Sequence, residues 1–381
     1  MMKYRPTRYI IVALMAASFS TASVAAADGS EVTKDEAKAV ELFAKACDGG
    51  HVAGCYNLGN SYVDGIGVTK DESKAVQLFR KACDGALMQG CFGLGVMYGQ
   101  GTGVAKDDTK AAHLYTKACD AGFMPGCHNL GDMHEMGTGI AKDAGGAAKL
   151  YAKACDGGVM ESCVALGLMH DDGMGVTENK AKAAQLYVKA CDAGLMIGCF
   201  NLGTAYGKGA GVAQDTAKAA HLYTKACDAG FMPGCYNLGD MHERGIGVTK
   251  DATKGARLLA KACDGGHMAA CSNLGATDVE TGGAKDVAKG RALFAKGCDG
   301  GDMVGCANLG ITYWEGTGAR RDVAKARTLL NKACKGGVEG ACAYLGAVDE
   351  AVNEQVDGSK VWWLVLPLLF GVVWLLRTRT R

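Results

Sequence analysis

Residues 51–85 read HVAGCYNLGNSYVDGIGVTKDESKAVQLFRKACDG. In its second half, Asp71 to Cys83 places Ala75, Leu78, Phe79 and Ala82 at helical spacing, which predicts an amphipathic helix, called helix B here. Asp71 stands where a short acceptor side chain caps the first free N–H groups of a helix. In the first half, Val52 to Tyr62 places Cys55, Leu58, Gly59 and Tyr62 on one face of another helix, helix A. Gly65-Ile-Gly67 reads as the tight turn from A to B. After each first cysteine come a charged and two small residues, as in Asp48-Gly49-Gly50, and glycine there permits the left-handed conformation that ends a helix.

The unit repeats through most of the 381 residues. Cysteines at 47, 83, 119, 155, 191, 227, 263, 298 and 334 each have a partner eight residues on, and the steps are 36 residues except for one of 35. A fixed period of this size marks a repeat array. All nine B helices carry Asp or Asn at the Asp71 slot, from Asp35 to Asp322, Asn179 being the one amide. A glycine recurs at the Gly59 slot in all nine A helices. A mid-helix glycine costs about 1 kcal/mol, so its recurrence implies that a neighbouring helix packs on bare backbone there. Residues 280–285 depart from the pattern, with a turn one residue shorter and no Gly-x-Gly. Residues 111–127 and 219–235 are both AAHLYTKACDAGFMPGC, three repeats apart, which implies duplication of a three-repeat block. The array starts with a helix B at about Val32 and ends with a helix A at about Val352, so 18 helices are expected over 28–352.

Each cysteine pair joins the end of one helix B to the start of the next helix A across a short turn, within disulfide reach. The expected bonds are Cys47–Cys55, Cys83–Cys91, Cys119–Cys127, Cys155–Cys163, Cys191–Cys199, Cys227–Cys235, Cys263–Cys271, Cys298–Cys306 and Cys334–Cys342. Each short ring contributes about 2.5 kcal/mol on the loop-entropy model. The unbridged Gly-x-Gly turns are expected to be the more adjustable joints.

The chain ends indicate export, the condition for such bonds. Residues 1–27 have the form of a secretory signal: Lys3, Arg5 and Arg8, an apolar run Tyr9–Ala17, then Ala25-Ala26-Ala27 before cleavage at Asp28. Residues 353–360 are read as a short linker and 361–376, VWWLVLPLLFGVVWLL, as a transmembrane helix or C-terminal sorting segment. Sixteen residues rise about 24 Å against a hydrocarbon core of about 30 Å, and flanking Lys360 and Arg377 can snorkel to the interfaces. The basic tail 377–381 places the body outside the cytosol. A small-residue segment, an apolar helix and a basic tail together also resemble the C-terminal sorting signals of Gram-negative envelope proteins. The body, 28–359, carries 34 basic and 40 acidic groups, a net −6 with no basic stretch. That argues against nucleic acid as a partner, because phosphate neutralisation supplies most of such affinity.

The pattern GC-xx-LG-xx-Y-xx-GxGV-x-KD-xx-KA-xx-LY-x-KACDGG resembles the Sel-1-like repeat, in the disulfide-bearing form of the Helicobacter cysteine-rich proteins, over about 31–350. The resemblance implies αα-hairpins related to tetratricopeptide repeats and C-x7-C bridges within the hairpins. The expected fold is all-α, a right-handed α/α superhelical solenoid of stacked, disulfide-stapled hairpins. The repeat array, the export signal and the absence of catalytic motifs favour an envelope scaffold binding a protein or peptide on a curved face; the resemblance raises the alternative of a weak β-lactamase or penicillin-binding protein.

Little in the chain points to chemistry. It has no S-x-x-K, S-D-N, K-T-G or G-x-S-x-G motif, and none of Ser30, Ser61, Ser73, Ser162, Ser272 and Ser359 stands in a triad-like motif, so no catalytic residue is assigned. The Gly-x-Gly turns follow helices and lack a P-loop Lys and Ser, so no cofactor is expected. His134-Glu135, His170-Asp171 and His242-Glu243 read as solvated helix ends, where histidine is favourable, rather than as metal ligands. Met124-Pro125 and Met232-Pro233 read as core filler or an adaptable surface. Asn57, Asn129, Asn201, Asn237, Asn273 and Asn308 share one slot, two residues after the helix A cysteine. Two residues turn a helix by about 200°, which predicts a row of amides on the exposed side, able to bond a peptide backbone.

Overall fold

The computed structural model describes residues 34–281, 284–318 and 320–357, and every element of them is an α-helix. The expected signal peptide (1–27), the apolar segment (361–376) and the basic tail (377–381) lie outside the described residues. The B helices are α1 (Lys34–Asp48), α3 (Glu72–Asp84), α5 (Asp108–Asp120), α7 (Ala144–Asp156), α9 (Lys180–Asp192), α11 (Thr216–Asp228), α13 (Ala252–Asp264), α15 (Ala284–Asp299) and α17 (Val323–Lys335). The A helices alternate with them: α2 (Val52–Asp64), α4 (Met88–Gln100), α6 (Met124–Met136), α8 (Met160–Asp172), α10 (Met196–Lys208), α12 (Met232–Arg244), α14 (Met268–Thr281), α16 (Met303–Glu315) and α18 (Glu339–Asp357). The eighteen helices form an α/α solenoid of stacked hairpins. Helix α18 runs on to Asp357, so the first part of the expected linker is helical. The chain divides into two compact units, one through Gly198 and one from Cys199.

Seven B helices start on the expected cap. The side chains of Asp71, Asp107, Asp143, Asn179, Asp215, Asp251 and Asp322 each accept from the backbone N–H three residues on. Asp35 and Asp286 do not cap; they stand inside the first turns of α1 and α15. The shortened 280–285 segment lets α15 begin earlier, at Ala284. At the B-to-A turns the left-handed residue is the second small one, not the first. Gly85 keeps φ −80°, whereas Gly50, Gly122 and Gly158 take φ of 85°, 87° and 93°. Ala86 holds the same conformation at 64°, the one described non-glycine residue with positive φ.

Helix A glycines seat the next helix B. A Cβ on Gly95, Gly131 or Gly167 would lie 2.7, 2.7 or 2.5 Å from the ring of Tyr115, Tyr151 or Tyr187. Gly59 meets Phe79 and Gly203 meets Tyr223 in the same way, while Gly239 and Gly310 receive Leu259 and Leu330. Gly346, in the last helix A, has nothing within 4 Å. Those rings are the centre of the core: Tyr151, Tyr187, Tyr223 and Phe79 are among its largest fully buried side chains. The duplicated block repeats its packing within each unit. Phe92 lies 5.6 Å from Tyr115 and 5.4 Å from Phe123, and Phe200 lies 5.6 Å from Tyr223 and 5.5 Å from Phe231.

Eight of the expected disulfides fall within one unit or the other, with Cα–Cα distances of 4.4 to 4.8 Å. The ninth pair, Cys191 and Cys199, falls at the unit boundary, and no described cysteine is free. The Gly-x-Gly turns are not loose. The Asp71 N–H returns to the Tyr62 carbonyl at 3.0 Å, and a side chain on Gly67 would run into the backbone of Glu36.

Replacing Gly131 with Ala should lower stability by about 1–3 kcal/mol, because the added carbon overpacks against Tyr151. Replacing Gly346 with Ala should be neutral or stabilising by up to about 1 kcal/mol. Urea unfolding of both variants checks this, and equal losses would refute it. The caps predict acid sensitivity. Bonds from the N–H of Lys74, Lys110, Lys218 and Lys325 hold the carboxyls of Asp71, Asp107, Asp215 and Asp322 below the ordinary 3.8. Since the folded values are depressed, this stabilisation is complete above the unfolded value and is lost as pH falls through the folded ones. Hydrogen exchange should show α5 loosening below 3.8, while α9, capped by the Asn179 amide, holds its start. Equal loosening of both helices would contradict this account.

Candidate functional site

Between hairpins, a lysine from six of the B helices reaches back to the previous cysteine. The ammonium groups of Lys81, Lys117, Lys153 and Lys189 donate to the carbonyls of Cys47, Cys83, Cys119 and Cys155 at 2.9–3.2 Å. In the second unit Lys261 and Lys332 do the same to Cys227 and Cys298. The last carbonyls of a helix lack intrahelical donors and carry the negative end of its dipole, so a cation there satisfies both needs. Lys296, at the shortened step, bonds Asp264 instead at 3.1 Å. Sequence reasoning missed this ladder, although Lys stands two residues before every first cysteine.

The asparagines are not on an exposed face. Asn129, Asn201, Asn237 and Asn308 are 3–6% exposed, and only Asn57 and Asn273 are half-buried. The 200° turn takes the slot off its own helix's seam, but helix A is flanked on several sides and the slot meets another hairpin. Asn273 donates to the Tyr236 hydroxyl, on the preceding helix A, at 3.0 Å. The residues 37 positions before Asn129 and Asn237, where Tyr236 precedes Asn273, are Phe92 and Phe200, which offer no hydroxyl. Both amide atoms of Asn129 and of Asn201 and the amide nitrogen of Asn237 are buried without a hydrogen-bond partner. Burial pushes the Tyr223 and Tyr236 hydroxyls up to about 12, and the amides of Asn237 and Asn273 beside them act in the opposite direction.

One polar network joins α6, α7 and α8. Ser162 Oγ lies 2.8 Å from His128 Nδ1, and His128 Nε2 lies 3.7 Å from Asp132. The Tyr151 hydroxyl donates to Asp132 at 2.6 Å and to Glu135 at 3.0 Å. Burial, then the charge of Asp132, drives the Tyr151 hydroxyl strongly upward. Serine, histidine and aspartate in contact are the parts of a nucleophile–base–orienter chain. Ser162, however, is 0% exposed, and it fills a slot held by glycine in six of the other repeats and alanine in two, where helices meet closely. An acyl-transfer nucleophile must touch a substrate carbon, and this oxygen touches none from outside. The sequence signal was the pair of exceptions: Ser162 in that slot and His128 where Tyr or Phe stands in four other repeats.

The histidines at the ends of A helices are not solvated either: His134 is half-buried. His170 and His242 are buried, with Nδ1 3.3 Å from the carbonyls of Thr177 and Thr249. A carbonyl only accepts, so each ring donates and ties its A-to-B turn to the helix. Met124 and Met232 pack on the turn glycines Gly157 and Gly265. No group of three potential metal ligands occurs among the described residues.

Nine matches to the Sel1 repeat cover residues 21–51, 52–86, 89–123, 125–159, 161–195, 197–231, 233–267, 269–302 and 304–338. The chain belongs to the Sel1 repeat family. In this frame the bridges up to Cys298–Cys306 run from the helix B of one repeat to the helix A of the next and so link adjacent Sel1 repeats, whereas Cys334–Cys342 runs from the last matched repeat to the helix that follows it. Among solved structures, a Sel1 repeat protein from Oxalobacter formigenes is 24% identical, aligned over 89% of this chain and 100% of that one, with a TM-score of 0.61. A protective antigen of uropathogenic Escherichia coli strains displaying an SLR fold is 29% identical over 84% of this chain and 76% of its own, with a TM-score of 0.57. Helicobacter pylori cysteine rich protein B is 36% identical over 36% of this chain and 98% of its own, with a TM-score of 0.30. No curated protein matches the sequence.

Within this Sel1 array the two asparagine environments should separate by mutation. Asn129→Leu removes a buried amide that lies beside the Tyr115 hydroxyl without forming a hydrogen bond of good geometry, and should be neutral or stabilising. Asn273→Leu strips the Tyr236 hydroxyl of its donor and should cost about 1 kcal/mol. Denaturant midpoints of the two variants decide; a larger loss at Asn129 would mean that bound water or another group satisfies its amide.

Proposed function

We propose that this Sel1 protein is an exported scaffold of the cell envelope that holds a protein or peptide on the surface of its repeat array. Sel1 arrays typically serve protein–protein interaction. The observation that carries the reading for this chain is that its chemistry-bearing groups, Ser162, His128, His170 and His242, are closed into contacts between helices. The disulfides favour an oxidising compartment, and the signal-like 1–27 segment supports export. The relative described as a protective antigen would suit such a location. Anchoring by 361–376 is part of the proposal; no described helix is long and apolar enough to cross a membrane. Of the six asparagines, Asn57 and Asn273 remain within reach of a partner.

β-Lactam binding or hydrolysis is the alternative, and the Ser162–His128 contact is the one feature that favours it. Photo-crosslinkers placed at Asn57, at Asn273 and on the outer faces of B helices, in the native envelope, test the scaffold. A single protein species crosslinked from the helix A positions is the expected result. No crosslinked species, with a stable acyl adduct after penicillin or turnover of nitrocefin, would overturn the scaffold in favour of the enzyme.

A further inference from the structure

The bridges do not share one environment. Sixteen cysteines, from Cys47 through Cys306, are 0–2% exposed. Cys334 is half-buried and Cys342 is exposed. Each inner bridge is covered by the repeat that follows it. Lys117, Lys153 and Lys332 lie 3.6–3.7 Å from the sulfurs of Cys83, Cys119 and Cys298 as well as bonding the cysteine carbonyls. Cys334 stands in the last turn of the last described helix B, so no later described repeat supplies that lysine.

The local charge changes as well. The residue after the first cysteine is Asp in eight repeats, from Asp48 to Asp299, and Lys335 in the ninth. An approaching thiolate is an anion, repelled beside each Asp and attracted beside Lys335. Glu339, on the same hairpin, opposes this in part. Cys342 is the fourth residue of α18, near its positive end, whereas Cys334 is in the last turn of α17. A thiolate is favoured at the first position and disfavoured at the second, which makes Cys342 the better leaving group.

We propose that Cys334–Cys342 is a thiol–disulfide exchange site, open to an external thiolate while the inner bridges stay closed. The incoming sulfur bonds Cys334 Sγ, the Cys334–Cys342 bond breaks, and its electron pair remains on Cys342 Sγ as thiolate. A monothiol stops at the mixed disulfide on Cys334. A dithiol protein attacks that mixed disulfide with its second sulfur, leaves oxidised, and returns Cys334 as a second free thiol. The last hairpin is then held without a covalent link, by the packing of Leu330, Ala341, Tyr344 and Val348 and by the Arg327–Asp349 ion pair.

The experiment exposes the folded, oxidised chain briefly to reduced glutathione or to a thioredoxin-type dithiol protein. Free thiols are trapped with N-ethylmaleimide and mapped by peptide mass spectrometry. With glutathione, the adduct is expected on Cys334 and the label on Cys342, at least about tenfold faster than at any other pair. With the dithiol protein, both cysteines should carry label and neither an adduct. Lys335→Asp, a change at an exposed residue, should slow both reactions severalfold. Opening of another pair first, opening of all pairs at one rate, an adduct on Cys342, or an unchanged rate in the Lys335→Asp chain would overturn the proposal.

Discussion

The array depends on one steric concession. Each helix A gives up a side chain in its middle so that the following helix B can lay a ring or a leucine on the bare backbone. The pairs Gly131 with Tyr151 and Gly239 with Leu259 show that the requirement is for closeness rather than for aromaticity. A glycine inside a helix weakens it locally, and burial of a side chain as large as tyrosine, about 2–3 kcal/mol of apolar transfer, more than offsets that. Once the ring is seated, the direction of helix B follows, and with it the position of the next turn. The Asp cap, the left-handed turn residues and the disulfide then act on geometry that the ring has largely set. Where no ring arrives, as at Gly346, the array has ended.

This ordering explains why the two kinds of joint differ less than their covalent chemistry implies. The B-to-A joint carries a disulfide and a lysine that bonds the cysteine carbonyl. The A-to-B joint carries neither, yet its turn glycine packs so close to the preceding helix that a Cβ is excluded, and a backbone bond closes it. The expectation of adjustable Gly-x-Gly turns came from counting covalent links, and steric exclusion is a comparable restraint.

The fold was legible because its signals lie within one period. Cysteine spacing, the Asp slot and the Gly59 slot each report a contact inside a hairpin or with the next helix, so reading along the chain finds them. What was illegible lies between hairpins. His128 meets Ser162, Lys117 meets the Cys83 carbonyl and Thr277 meets Glu243, each at a separation of 34 residues. A helical wheel gives a residue's angle about its own axis and says nothing of how many helices surround that axis. For that reason the asparagines were placed on an open face and proved to be inside it. The lysine ladder was hidden for another reason: its acceptor is a backbone carbonyl, which has no identity in sequence.

These inter-hairpin contacts also bear on chemistry. A period of 36 residues with a contact offset of 34 means that a substitution in one repeat meets a different slot in the next. Chance substitutions can therefore bring together groups such as Ser162 and His128 without creating a site, because the place where they meet is the buried seam. Access decides what such a pair can do, and access here follows position along the array rather than residue type. Inner seams are closed by the repeats on either side, and only a terminal repeat leaves one side uncovered. In a solenoid built this way, the same cysteine pair is inert in the middle and approachable at the end, so reactivity can be confined to the last hairpin without any change in the motif that carries it.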